Sequence, residues 1–147
     1  MKKFTFTLEK VLSVKNQLHE VKRNELMQLQ LQLNNILDAI DDNQREFDKY
    51  NSDVNQIMQG GTNSSSIESY KNYFNFLNNR EKQLKLEQQH AERMIADKQQ
   101  EIIEIKTEIS GLEKLKEKQL AEYNKALQKQ QELEIEEFLN EKISGTT

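Results

Sequence analysis

The chain contains no cysteine, no proline and no tryptophan. Without cysteine there is neither a disulfide framework nor a thiolate for catalysis or metal binding. Without proline nothing in the chain forces a helix to break, and glycine occurs only at positions 60, 61, 111 and 145. Long apolar runs are missing too, so no stretch approaches the ~20 residues that carry a helix across a bilayer. Met1-Lys2-Lys3 resembles the basic opening of a signal peptide, but no apolar segment follows, and a cytoplasmic location is expected. Apolar residues make up only 35% of the chain, below the about 45–50% of a compact domain. Charged residues make up 31% and the mean hydropathy is -0.93. An ordinary globular core is thereby excluded. A net charge of -4 leaves no global basic footprint for nucleic acid.

What is present is helix-forming material in regular spacing. Leu, Glu, Gln, Lys and Ala dominate, residues that lose little rotamer freedom in a helix. One break interrupts them: Gln59-Gly60-Gly61-Thr62-Asn63-Ser64-Ser65-Ser66. Gly60 or Gly61 can close a helix C-terminus in the left-handed conformation, and Ser65 or Ser66 can cap the next helix. The expected organisation over residues 1–147 is a single coiled-coil domain, with helix 1 about 8–58, a hinge at 59–66 and helix 2 about 67–141. Each helix alone would leave its apolar stripe in water. A short hinge lets the two cover each other. The fold class expected is all-α: two long helices forming an antiparallel coiled-coil hairpin, the C-terminal helix longer.

The stripes can be traced. In the first arm Phe4, Thr7, Val11, Val14, Leu18 and Val21 alternate by three and four, as do Leu33, Ile36, Ile40, Asn43, Phe47, Tyr50, Val54 and Ile57. Val21, Glu25, Leu29 and Leu33 join them in steps of four, a phase shift that would relax the supercoil. The second arm reads Tyr70, Tyr73, Leu77, Arg80 and Leu84, an extra step of four to Gln88, then Ala91, Ile95, Lys98, Ile102, Ile105, Ile109 and Leu112. Counted outward from Thr62, Phe4 lies level with Leu120. Residues from Ala121 onward, including Tyr123, Leu127, Leu133, Ile135, Phe138 and Leu139, then overhang by ~35 Å and call for a partner. Gly111 reads as a tolerated helix defect.

Chemistry is hard to find. His19 and His90 lack metal-site spacing and read as surface residues. Gly60-Gly61 lacks the Lys-Ser/Thr of a phosphate loop. A two-helix rod offers no pocket to desolvate its carboxylates, so no enzyme, no cofactor and no metal are expected. Acidic residues outnumber basic ones along 67–147, which speaks against nucleic acid. Charge is uneven: Lys2, Lys3, Lys10, Lys15, Lys22 and Arg23 face only Glu9 and Glu20 near the start, whereas 132–141 holds five glutamates and no basic residue. The most informative cluster is Tyr70, Tyr73, Phe74, Phe76 and Leu77, with Phe47 and Tyr50 opposite. Five large apolar residues exceed what a two-helix seam buries. They form a plug that locks the hinge, a patch that anchors a partner, or both.

On Phe4-x-Phe6-x-Leu8-Glu9-Lys10-Val11-Leu12, the glycine hinge near residue 60 and Tyr70-x-x-Tyr73-x-x-x-Leu77, the chain resembles the FliJ family of the bacterial flagellar type III export apparatus. The resemblance covers most of the chain. It implies a two-stranded coiled coil similar to the central stalk of rotary F-type ATPases, and a non-enzymatic role in flagellum biogenesis, motility and chemotaxis. The end carrying both termini is expected to enter the hexameric ring of the flagellar export ATPase. The hinge end is expected to contact the cytoplasmic domain of the membrane export gate, through Tyr73 and Leu77, with Arg80 and Leu84 one and two turns on and Phe47 and Tyr50 across the hairpin. Export chaperones are further expected partners. The resemblance implies peripheral association with the inner face of the cell membrane at the flagellar base, without membrane insertion. The chain alone is expected to be a monomer. Two other readings remain open: a structural or homodimeric coiled-coil spacer, because heptads alone do not choose topology, and an RNA-binding hairpin.

Overall fold

The computed structural model describes residues 2–61 and 64–145, apart from the side chains of residues 64 and 65. Two helices account for nearly all of it, α1 (Glu9–Gly60) and α2 (Ser64–Ser144). They pack against each other as an antiparallel all-α hairpin. α1 ends on Gly61, whose φ of 76° lies in the left-handed region that penalises a side chain. A Cβ there would meet nothing within 4 Å, so backbone conformation, not space, selects glycine. α2 starts at Ser64, ahead of the expected Ile67, because serine is tolerated in a first turn. Ser66 therefore lies inside the helix, and the capping expectation at Ser65 lies outside the described side chains.

The chain divides into two compact units, Lys22–Glu101 and Met1–Val21 with Ile102–Thr147. In the first, α1 turns Leu26, Leu29, Leu33, Ile36, Ile40, Asn43, Phe47 and Tyr50 away from solvent. α2 answers with Leu77, Glu81, Leu84, Gln88, Ala91, Ile95 and Lys98. This alternation has no extra step. Glu81, not Arg80, holds the seam position: its stem lies inward and its carboxylate meets Lys85 Nζ at 3.2 Å, while Arg80 is exposed. Asn43 is the one buried polar residue among those described, 1% exposed. Its Nδ2 donates to the Leu77 carbonyl at 3.0 Å. A lone polar side chain in an apolar seam favours one register over others.

The second unit corrects the first-arm stripe. Leu12 is buried, but Val11, Val14, Leu18 and Val21 are 43%, 58%, 38% and 50% exposed. Lys15 and His19 lie inward instead. The reason is continuity: positions 12, 15, 19, 22, 26, 29 and 33 keep an unbroken alternation of three and four along α1, so the phase shift read at 21–33 is absent. Lysine stems can cover apolar surface while their ammonium groups reach out. Lys15 Nζ lies 2.6 Å from Glu108, and Lys116 Nζ lies 2.8 Å from Glu9. From α2, Ile102 and Ile105 fill the seam, 8% and 6% exposed.

Residues 2–6 are not helical. Phe6 is 4% exposed, the Phe4 and Tyr123 rings sit 5.6 Å apart, and the Tyr123 hydroxyl donates to the Lys2 carbonyl at 2.5 Å. Tyr123 is thus covered within the chain rather than overhanging. Non-helical chain advances further per residue than the ~1.5 Å of a helix, which carries Phe4 past Leu120 to Tyr123. Leu127 is half-buried, and every residue from 131 to 145 is exposed. A Cβ on Gly111 would meet nothing within 4 Å, so no close crossing requires that glycine.

Candidate partner interfaces

In the Lys22–Glu101 unit, Tyr50 of α1 is the centre of an aromatic cluster. Its ring centroid lies 5.9 Å from those of Tyr70 and Tyr73 and 6.0 Å from Phe74. Phe47 meets Phe74 edge-on at 5.8 Å. These separations suit tilted and edge-to-face pairing, so Phe47 and Tyr50 act as a platform for the chain's own rings. Leu77 and Leu84 are 1% and 9% exposed. Their seam positions turn both toward α1 and leave little of either side chain at the surface.

The surface left outside is made by different side chains. Tyr73 and Phe76 stack at 6.2 Å and are 40% and 56% exposed. The Tyr73 hydroxyl donates to Glu46 Oε2 at 2.8 Å. That hydrogen bond raises the phenol above its usual 10.0, with desolvation and the Glu46 charge adding and Arg80 opposing. Asp42, Arg45, Glu46 and Arg80 rim the ring pair. An apolar pair in a charged rim is the anatomy of a protein-binding spot. Of the residues expected at this site, Tyr73 and Arg80 stand together at the surface. Phe76 and Glu46 were not among them. The signal for Phe76 was its helical angle, which turns it away from the seam. Glu46 gave none, because a glutamate on an outer helix face looks like any other. On another side, Tyr50, Val54, Ile57, Ile67, Tyr70 and Phe74 line an apolar groove of about 270 Å³.

The same unit holds an ionic cluster across the helices. Lys98 Nζ lies 2.6 Å from Glu25 and 3.0 Å from Glu101, and Lys22 Nζ lies 3.3 Å from Glu101. Glu25, then Glu101, holds the Lys98 ammonium above its usual 10.5. Lys98, then Lys22, holds the Glu101 carboxyl below its usual 4.5. These shifts come from ion pairing across the two helices.

In the other unit the end of α2 stands bare. Leu133, Ile135, Phe138 and Leu139 are 51%, 60%, 63% and 50% exposed, set among Glu132, Glu134, Glu136, Glu137 and Glu141. Lys142 Nζ sits 5.8 Å from the Phe138 ring centroid. His90 is exposed, whereas His19 faces the seam with Nε2 buried and, among the described residues, unpaired. That corrects its reading as a surface residue; the continuous α1 repeat turns it inward. Among the described residues no group of His, Asp and Glu could hold a metal ion, and no helix is long and apolar enough to cross a membrane. The arrangement offers surfaces for binding.

The chain matches the family described as Flagellar FliJ protein over residues 4–144. No curated protein and no solved structure matches the chain.

Proposed function

Because the chain belongs to the FliJ family of flagellar proteins, we propose that it couples two parts of the flagellar export machinery by binding both. Membership makes it a component of flagellar protein export. The finer reading is ours. The Met1–Val21/Ile102–Thr147 unit docks in the hexameric ring of the export ATPase. The Tyr73–Phe76 surface, with Arg80 beside it, contacts the cytoplasmic domain of the export gate. Export chaperones pass over the same protein, which sits peripherally at the membrane and so serves motility and chemotaxis.

The observation that carries this reading is an exposed apolar pair in each unit: Tyr73 with Phe76 in one, Phe138 with Leu139 in the other. Exposed apolar patches rimmed by polar residues mark interaction sites. Co-purification with the ATPase and, separately, with the gate's cytoplasmic domain tests it. Tyr73→Ala with Phe76→Ala is expected to lower gate binding at unchanged helicity. Removal of residues 131–147 is expected to lower ATPase binding. Retention of both partners by both folded variants would refute the assignment.

A further inference from the structure

The Met1–Val21/Ile102–Thr147 unit carries two apolar faces that its own helices leave open. One is Val11, Val14, Leu18 and Val21 on α1, spaced three, four and three and 38–58% exposed. The other is Ile135, Phe138 and Leu139 near the end of α2, 50–63% exposed. Within one molecule they cannot meet. Glu9, the first residue of α1, pairs with Lys116, and α2 continues unbroken to Ser144. Residue 131 therefore lies ~22 Å beyond the start of α1, on the side away from the stripe.

We propose that a second copy of this chain covers the Val11–Val21 stripe with its own acidic helix end, residues 131–144. Charge selects this occupant. Lys10 and Lys15 flank the stripe against Glu20 alone, while Glu132, Glu134, Glu136, Glu137 and Glu141 accompany the helix end against Lys142 alone. Pairing two helix ends would set glutamate against glutamate, and pairing two stripes would set lysine against lysine; stripe on helix end joins opposite signs. The lengths agree as well: residues 11–21 span ~16 Å and residues 131–144 span ~20 Å of helix. A two-fold axis uses the contact twice and closes the assembly at two copies. That doubling moves a short helix pairing toward the ~1,200 Å² of a specific interface. The seam inside each chain stays intact, so the dilute protein is a monomer that associates as concentration rises. This goes beyond the export reading and does not depend on it.

Sedimentation equilibrium of the full chain tests the proposal. The weight-average mass is expected to rise from 17.4 kDa toward twice that with concentration, and to fall back in high salt. Leu18→Glu and Phe138→Glu should each weaken association by at least about tenfold, the loss expected when one buried apolar side chain is replaced by a charge. Phe76→Glu, placed in the other unit, should leave it unchanged. The chain has no cysteine, so a Leu18→Cys chain mixed with a Phe138→Cys chain should form a disulfide-linked pair, while Leu18→Cys mixed with Phe76→Cys should not. A chain still monomeric at about 1 mM would overturn the proposal. So would a dimer indifferent to either glutamate substitution, or one without the mixed cross-link.

Discussion

The two units solve the same packing problem with different material. In Lys22–Glu101 the apolar stripe of α1 and the inward face coincide: Leu26, Leu29, Leu33, Ile36 and Ile40 turn toward α2. In the other unit they part company, with Lys15 and His19 inward while Val14 and Val21 are at least half exposed. The difference teaches that the phase of a long helix is not chosen residue by residue. One unbroken repeat along α1 carries lysine stems into the seam, and carboxylates on α2 meet their ammonium groups. Re-phasing one end to bury four valine and leucine side chains would require a stutter in the repeat. The apolar surface thus forgone is what becomes available to other molecules.

The comparison breaks most visibly at Leu77. Leu77→Ala is expected to lower unfolding free energy by about 2–5 kcal/mol, and neighbouring Phe76→Ala to stay within about 0.5 kcal/mol, both read from urea unfolding. Glycine substitutions should then separate the units by sign. Gly61→Ala should destabilise by about 1 kcal/mol, because its φ is positive. Gly111→Ala should stabilise by about 1 kcal/mol, because nothing crowds the position. A smaller effect sharpens the phase argument: Val14→Ala should cost less than about 0.5 kcal/mol, whereas a true seam valine would cost clearly more.

The smallest expected effect concerns the Lys22–Glu101–Lys98–Glu25 cluster. A carboxylate depressed in the folded state stabilises above its unfolded pKa, and this is lost as pH falls through the folded value. A raised ammonium stabilises below its unfolded pKa, and this is lost as pH rises through the folded value. With Glu101 held below 4.5 and Lys98 above 10.5, the contribution should be flat between those values and fade outside them. Glu101→Gln should flatten the acid limb of a stability-versus-pH curve. The whole effect should shrink in salt, as it does for exposed pairs.

Much of the hairpin was legible in the sequence. The glycine pair, the missing prolines and the alternation from Leu33 to Ile57 dictate two helices and one reversal. What was not legible was rotation. At 10–23 the stripe with more apolar residues is not the buried one, because Lys15 and His19 inherit their orientation from the repeat further along α1. Arg80 and Glu81 posed the same ambiguity on α2, where two charged neighbours compete for one position and composition cannot choose. The candidate site followed suit. Aromatic density marked out Tyr70–Leu77 as a cluster, but Leu77 and Leu84 lie in the seam and Phe76 is at the surface.

The covered length of α2 depends on a segment that is not helical. Residues 2–6 are held by a buried phenylalanine, a ring contact and the Tyr123 hydroxyl, without the hydrogen-bond ladder that locks α1. Such a segment peels away at far lower free energy than a helix melts, and its amide hydrogens should exchange before that of Leu12. Lifting it would strip Tyr123 of its Phe4 ring contact and its Lys2 acceptor and lengthen the bare helix by ~2 turns.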